Sequence, residues 1–126
     1  MRLWHYDLIK FLPKSQLLAQ WRELNSIFKK QDKHILINYV YDYPKEDLYI
    51  YSGLVIGEMT ARGYKIRSVD NYNNYFKDIN EPKEYYNPFK NHHNDRYLTQ
   101  CFFNLQEKYD RGQKDFDKKT YKELSL

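Results

Sequence analysis

The stretch from Ser15 to Lys30, SQLLAQWRELNSIFKK, decides the fold class of this chain. Its large apolar side chains recur at i, i+4, i+7 and i+11, a spacing that places them on one face of an α-helix. The members of this stripe are Leu17, Trp21, Leu24 and Phe28. Pro13 precedes the stretch, and serine is a preferred helix N-cap. The pattern therefore predicts a helix from Ser15 to Lys30 that is capped by Ser15 and buries the stripe.

Two other long stretches show helical spacing. The second predicted helix extends from Pro44 to Arg62, because proline is favoured at the first helical position and Gly63 would end the helix. The third extends from Asn94 to Arg111, directly before Gly112. The side chains expected in the core are Leu48, Tyr51, Val55 and Met59 on the second helix, and Leu98, Phe102, Leu105 and Tyr109 on the third.

The rest of the chain predicts shorter elements. The Asn-, Tyr- and Pro-rich stretch from Ser68 to Asn91 is typical of loops, with one short helix near Tyr72 to Asn80. The tail from Lys114 to Leu124 has the pattern of a short amphipathic helix. Because clean strand alternation is scarce, we expect an all-α protein. It would be a compact single domain over residues 1–126, with three main helices, short helices and long loops.

Length and composition indicate a small globular protein. The 126 residues fit one domain, and the 41% hydrophobic and 30% charged content argues against a disordered chain. A single cysteine, Cys101, excludes an internal disulfide, and the polar opening residues lack the core of a secretion signal. No apolar run approaches the roughly 18–20 residues of a membrane span. We therefore expect a cytoplasmic protein without membrane association, and a monomer.

The positive charge is concentrated in the first third of the chain. Residues 1–38 contain seven Lys or Arg and three Asp or Glu, whereas residues 39–126 contain fourteen of each, so the net charge of +4 lies before residue 39. A local positive field favours a polyanion such as nucleic acid. A solvated helix face with ordinary lysines is the simpler explanation of the charge alone.

Familiar metal and phosphate motifs are missing from the sequence. There is no phosphate-binding glycine loop and no pair of cysteines. His92, His93, Asp95 and Cys101 match no usual zinc spacing. We interpret the two histidines as loop residues at a helix start, and we expect no metal site.

The pair Arg22 and Glu23 lies off the apolar stripe of the first predicted helix. At about 100° per residue, Arg22 aligns with Lys29, whereas Glu23 aligns with Lys30. A carboxylate held by a rigid helix among basic side chains suits acid/base catalysis or the stabilisation of a cation. A surface ion pair that contributes little is the alternative, and spacing alone favours it.

A longer motif surrounds this pair. Leu17 to Leu24 has the pattern Leu-x-Ala-x-aromatic-Arg-Glu-Leu, and Phe28 and the pair Lys33-His34 follow it. This arrangement resembles the pyrimidine-dimer DNA glycosylase family of the endonuclease V type. Arg62 to Ile66 is similar to the family's Arg-Gly-aromatic-x-Ile segment, and His92 to Tyr109 is loosely similar to its last long helix. The opening residues 1–7 are similar to those of bacterial relatives, and the resemblance is strong over residues 15–34.

The resemblance implies a compact all-α enzyme that removes damaged bases from double-stranded DNA and cleaves the strand at the abasic site, without a metal or organic cofactor. The family's nucleophile is the α-amine of the chain start. Because Arg2 is bulky, we expect Met1 to be retained and its amine to act here. Glu23 would stabilise the sugar cation and shuttle protons. The implied DNA-binding residues are Arg2, Arg22, Lys29, Lys30, Lys33 and His34.

Two other functions are open at this point. A non-catalytic nucleic-acid-binding module would keep the scaffold and the basic face, with Glu23 as a structural ion-pair partner. A helical protein-interaction domain would use a surface rich in tyrosine, of which the chain has 14, and would have no role on DNA. Borohydride trapping on abasic-site DNA distinguishes an enzyme from a binder. Salt-dependent binding to duplex DNA distinguishes a binder from an interaction domain.

Overall fold

The computed structural model describes residues 2–30, 37–66, 68–79, 82 and 84–110, with side chains up to Glu107. Within these residues all regular secondary structure is helical. The elements are α1 (Lys14–Lys30), α2 (Lys45–Ala61), α3 (Asp70–Tyr75), α4 (Asp95–Asp110), and two 3-10 helices that span Tyr6–Phe11 and Asn38–Asp42. The all-α class predicted from the sequence is confirmed, and the three main helices are α1, α2 and α4.

Helix α1 begins one residue earlier than the sequence pattern indicates. Its first residue is Lys14, and the backbone N–H groups of Gln16 and Leu17 both donate to the carbonyl of Pro13 at 3.0 Å. The predicted cap by Ser15 is therefore wrong, because Ser15 already lies within the first helical turn. Pro13 occupies the cap position instead, where its lack of an N–H has no cost to the helix.

Helix α2 begins at Lys45, so Pro44 is its cap and not the predicted first helical residue, and it ends at Ala61, just before the predicted stop at Gly63. Gly63 has φ of +80°, a left-handed conformation that glycine adopts without steric strain. The N–H of Gly63 donates to the Thr60 carbonyl at 3.0 Å, and the N–H of Tyr64 donates to the Met59 carbonyl at 2.9 Å. This pair of bonds is a Schellman motif, which satisfies carbonyls that the helix end would otherwise leave unpaired.

The predictions for the shorter elements and for the start of α4 agree in part with the structure. The short helix expected near Tyr72 to Asn80 is α3, which lies a few residues earlier at Asp70–Tyr75. Helix α4 begins one residue after Asn94, whose side-chain oxygen accepts the Tyr97 N–H at 3.0 Å and so caps the helix. Gly112 and the predicted tail helix from Lys114 to Leu124 lie outside the described residues. The two 3-10 helices were not predicted, since elements of five or six residues show no clear periodicity.

The core contains most of the predicted side chains. The confirmed core members are Leu17, Leu24 and Phe28 on α1, Leu48, Tyr51, Val55 and Met59 on α2, and Leu105 on α4. Trp21 and Leu98 are partly buried and pack against this core, and Phe102 is also partly buried. On α4 the inner positions belong to Cys101 and Leu105, one helical turn apart, and this leaves Leu98 and Phe102 beside them. The side chain of Tyr109 is not among those described.

The first residues of the chain cross the interior before α1 begins. Leu3, Trp4 and His5 are each at most 5% exposed. The 3-10 helix that follows is fastened to the end of α2 by Arg62, whose guanidinium donates to the carbonyls of Leu12 at 2.7 Å and Lys10 at 3.1 Å. The extended segment at residues 2–5 lies between α1, α2 and α4, and it is hydrogen-bonded to a side chain of each.

The helices were also compared with the requirements of a membrane span. Over the part of the chain that the structure describes, none of them combines the length and the apolar character needed to cross a bilayer.

Candidate functional site

Gln20 of α1 holds the chain start against the core. It is 1% exposed. Its Oε1 accepts the backbone N–H of Trp4 at 2.8 Å, and its Nε2 donates to the carbonyl of Arg2 at 3.1 Å. Since one side chain binds two backbone groups of the segment, both the position and the direction of residues 2–4 are determined by α1.

Two tyrosines from the other long helices bind the same segment. The Tyr51 hydroxyl of α2 donates to the Trp4 carbonyl at 2.6 Å, and the Tyr97 hydroxyl of α4 donates to the Leu3 carbonyl at 2.6 Å. Burial raises the pKa of both hydroxyls, so both remain donors at neutral pH. The extended segment is therefore bound from three sides, and this is an uncommon degree of order for a chain terminus.

Glu23 lies one turn beyond Gln20 on α1 and faces the same segment. Its carboxylate accepts the Nε2–H of Gln20 at 3.1 Å. The side chain is half-buried. Burial raises the pKa of Glu23 above its ordinary value, and the hydrogen bond from Gln20 is among the effects that oppose that rise. A half-buried carboxyl group with a raised pKa suits acid/base catalysis.

The surface ion pair considered for Glu23 is not formed with its neighbour. Among the described side chains, Glu23 and Arg22 are not within ion-pair distance, and Arg22 is exposed whereas Glu23 turns toward the chain start. The two side chains therefore point to different surfaces of α1, as expected for adjacent residues of a helix.

Arg22 borders a groove between α1, the end of α2 and the start of α3. The groove has a volume of about 660 Å³, and its apolar wall includes Leu18, Trp21, Met59 and Ile66. Three cationic side chains line it: Arg22, Lys29 and Lys65. Arg22 and Lys29 share this face as the helical spacing predicts. An apolar floor with a cationic rim suits a ligand that combines phosphates with flat aromatic groups.

The other predicted DNA-binding residues have different locations. Arg2 is half-buried: its guanidinium carbon lies 5.5 Å from the centre of the Trp4 ring, and its Nη1 is buried without a hydrogen-bond partner among the described residues. Lys30 is exposed at the end of α1 and does not line the groove. Met1, Lys33 and His34 lie outside the described residues.

The histidines before α4 take part in aromatic packing. His93 is buried, its Nε2 is 2.6 Å from the Tyr39 hydroxyl, and burial lowers its pKa to about 3. The exposed His92 pairs with the Tyr43 hydroxyl at 2.7 Å. Both histidines lie in the turn before α4, as predicted, and His93 is in addition a buried core residue. The described residues contain no group of three or more His, Cys, Asp or Glu arranged to hold a metal ion.

Sequence reasoning missed four residues of this region: Gln20, Tyr51 as a hydrogen-bond donor, Tyr97 and Lys65. Only Gln20 had a visible signal, because it is a polar residue three positions after Leu17 and four before Leu24, on the buried face. A polar side chain on a buried face must find partners there. The contacts of the other three depend on residues far away in the sequence.

Comparisons with known proteins give one match. A family model described as "Pyrimidine dimer DNA glycosylase" matches residues 1–72, which are more than half of the chain. This range includes the extended segment at residues 2–5, Gln20, Glu23 and all three cationic side chains of the groove. Neither the curated proteins nor the solved structures give a match. Because the family match covers the larger part of the chain, this protein belongs to the pyrimidine dimer DNA glycosylase family.

Proposed function

We propose that this protein is a DNA glycosylase with abasic-site lyase activity on pyrimidine dimers, in which the α-amine of Met1 is the nucleophile and Glu23 moves the protons. The observation that carries the proposal is the link through Gln20, whose Nε2 donates to the Arg2 carbonyl and to Oε2 of Glu23, each at 3.1 Å. This link holds the only carboxylate of α1 close to the residue that follows the chain's first nitrogen.

Covalent geometry extends this contact to the amine. Met1 lies outside the described residues, but only three bonds separate its nitrogen from the nitrogen of Arg2. Standard bond lengths keep two atoms so connected within roughly 3.7 Å of each other. Contact between this amine and the Glu23 carboxylate is therefore part of the proposal.

An α-amine suits this reaction better than a lysine. Its ordinary pKa is about 7.7–8.0, compared with about 10.4 for a lysine side chain. A useful fraction is therefore neutral at physiological pH, and only the neutral amine has the lone pair that attacks. The proposed reaction needs no metal or organic cofactor.

The proposed reaction has two stages. The amine lone pair bonds to C1′ while the bond from C1′ to the base breaks, and the base leaves with that electron pair and takes up a proton. The nitrogen then loses a proton and expels the ring oxygen, which is protonated, to form an imine. Removal of a C2′ proton forms a C2′=C3′ double bond and breaks the C3′–O bond, so the 3′ phosphate leaves with its electron pair. Glu23 is positioned to give and accept these protons.

The basic groove supports the DNA-binding part of the proposal. To reach C1′, an enzyme must distort the duplex or extrude a nucleotide, which costs a few kcal/mol. Contacts to phosphates offset that cost. Arg22, Lys29 and Lys65 are the proposed phosphate contacts of the groove, and Arg2, Lys30, Lys33 and His34 remain further candidates.

Covalent trapping tests the nucleophile. The protein is incubated with borohydride and one of three duplexes, which contain a cyclobutane pyrimidine dimer, an abasic site or no damage. We expect a covalent adduct with the first two duplexes only, and mass spectrometry should place the sugar remnant on the Met1 peptide. An adduct on Lys10 or Lys29 would show that a lysine, and not the α-amine of Met1, is the nucleophile. The absence of any adduct would leave a DNA-binding protein without this chemistry.

Replacing Arg22 by alanine tests the groove as a phosphate-binding surface. We expect weaker binding to duplex DNA, and we expect the slope of log K against log salt to fall by about one, because one phosphate contact and its released counterion are lost. Arg96→Ala is the matched control, since Arg96 is exposed on α4 and does not line the groove. Equal slopes for the two variants would argue against contact between Arg22 and phosphate.

A further inference from the structure

We infer that Gln20 is a positioning residue that sets the distance between the chain start and the Glu23 carboxylate, because one amide nitrogen binds both the Arg2 carbonyl and that carboxylate. This inference deepens the proposed function and rests on it. Its basis is a pair of hydrogen bonds, from Nε2 of Gln20 to the Arg2 carbonyl and to Oε2 of Glu23, each 3.1 Å long.

The hydrogen-bonding capacity of the Gln20 amide is fully used. An amide nitrogen has two N–H groups, and here one is available for Arg2 and the other for Glu23. The amide oxygen accepts the Trp4 N–H at 2.8 Å. This last bond determines the orientation of the amide, because a flipped group would place an N–H against the Trp4 N–H.

The surroundings of Gln20 hold this arrangement in place. Gln20 is 1% exposed, and the hydroxyl of Tyr51, which is fully buried, lies 3.0 Å from its Oε1. Any other rotamer would leave buried polar groups without hydrogen-bond partners, which is energetically costly. The side chain therefore acts as a rigid spacer between the extended segment and the next turn of α1.

A spacer of this kind matters to the reaction for two reasons. Misplacing a reacting group by about 1 Å can reduce a rate by about 100-fold. In addition, an N–H that donates to a carboxylate favours its ionised form. Gln20 therefore opposes the effect of burial on the pKa of Glu23 and favours the ionised form of the carboxyl group, which accepts a proton.

The test compares Gln20→Met, which has nearly the same shape but no amide, with Tyr51→Phe. Tyr51 binds the same segment through the Trp4 carbonyl, but it is not a hydrogen-bond partner of Glu23. Cleavage of abasic-site duplex is measured from pH 4 to pH 9 under single-turnover conditions. For Gln20→Met we expect a rate about 10- to 100-fold lower, little change in DNA affinity, and an acid limb moved to higher pH. For Tyr51→Phe we expect no movement of the acid limb.

A second measurement on the wild-type protein guards against a Gln20→Met variant that fails to fold. The two side-chain N–H signals of Gln20 are followed by NMR as the pH is varied. We expect them to shift with the ionisation of Glu23, and we expect this titration to disappear in Glu23→Gln. Amide signals that do not respond to pH would overturn the inference, even if Gln20→Met cannot be prepared.

The outcomes separate the two proposals. A wild-type protein that forms no imine adduct overturns the proposed function and this inference together. A wild-type protein that forms the adduct, with a Gln20→Met variant that keeps the wild-type rate and pH profile, overturns the inference alone. Equal losses in Gln20→Met and Tyr51→Phe without a shift in the acid limb would assign Gln20 a merely structural role.

Discussion

Replacement of Glu23 by glutamine is expected to lower strand cleavage by about 10²–10⁴-fold, the usual contribution of a positioned acid/base, while duplex binding persists. The amide oxygen can still accept the N–H of Gln20, which now binds the carboxylate, so the fold should be retained. The amide cannot exchange protons near neutral pH. Single-turnover cleavage of abasic-site DNA measures the chemical loss, and a gel-shift titration at fixed salt measures binding.

Glu84→Gln is the control for this substitution, because Glu84 is an exposed carboxylate in the loop before α4. It should cleave like the wild type. The pH dependence provides an independent check. Since burial raises the pKa of Glu23, wild-type cleavage should begin to fail at a pH above the ordinary pKa of glutamate, and this acid limb should be absent from any residual activity of Glu23→Gln. Unchanged cleavage by Glu23→Gln would remove this carboxylate from the mechanism.

Replacement of Phe28 by alanine is expected to lower the free energy of unfolding by about 3–5 kcal/mol, the usual cost of truncating a buried phenylalanine. The ring is 6% exposed. It packs against Phe76 at 5.3 Å and Tyr75 at 5.5 Å, near the end of α3, and against Trp21 at 6.3 Å, between ring centres. These contacts hold α1 against α3. Urea unfolding followed by circular dichroism measures the loss.

Phe103→Ala is the matched control, because the same side chain is removed from a position on α4 that is 59% exposed. Its effect on the free energy of unfolding should be within about 0.5 kcal/mol. Because Trp21 lines the groove and packs on Phe28, DNA binding by Phe28→Ala should also weaken at temperatures where the protein is still folded. Similar destabilisation in the two variants would contradict the assigned role of Phe28 in the core.

The two residues connect the fold to the proposed chemistry in different ways. Phe28 maintains the packing of α1 on α3, and it also packs against Trp21, which lines the groove. Glu23 lies on another face of α1, where it meets the extended chain start. One helix thus supplies both the proposed acid/base group and part of the cationic rim, and loss of its packing should impair binding and cleavage together.

The sequence alone was sufficient for the elements whose signals are local. Helical spacing identified α1, α2 and α4 because neighbouring turns of one helix determine which side chains share a face. Gly63 identified the end of α2, since a left-handed residue is needed there whatever packs nearby. The motif from Leu17 to Leu24 led to the family for the same reason: it is contiguous in the chain.

The tertiary structure alone decided how the candidate site is assembled. The contacts that hold the chain start join Trp4 to Gln20, Trp4 to Tyr51 and Leu3 to Tyr97, across 16, 47 and 94 residues. No local propensity encodes such pairs, because they form only when three helices pack around one segment. The half-exposure of Trp21 and the place of Lys65 in the groove have the same origin. Gln20 is the intermediate case: its position in an apolar stripe was visible in the sequence, but its partners became known only when the chain start was seen to lie against it.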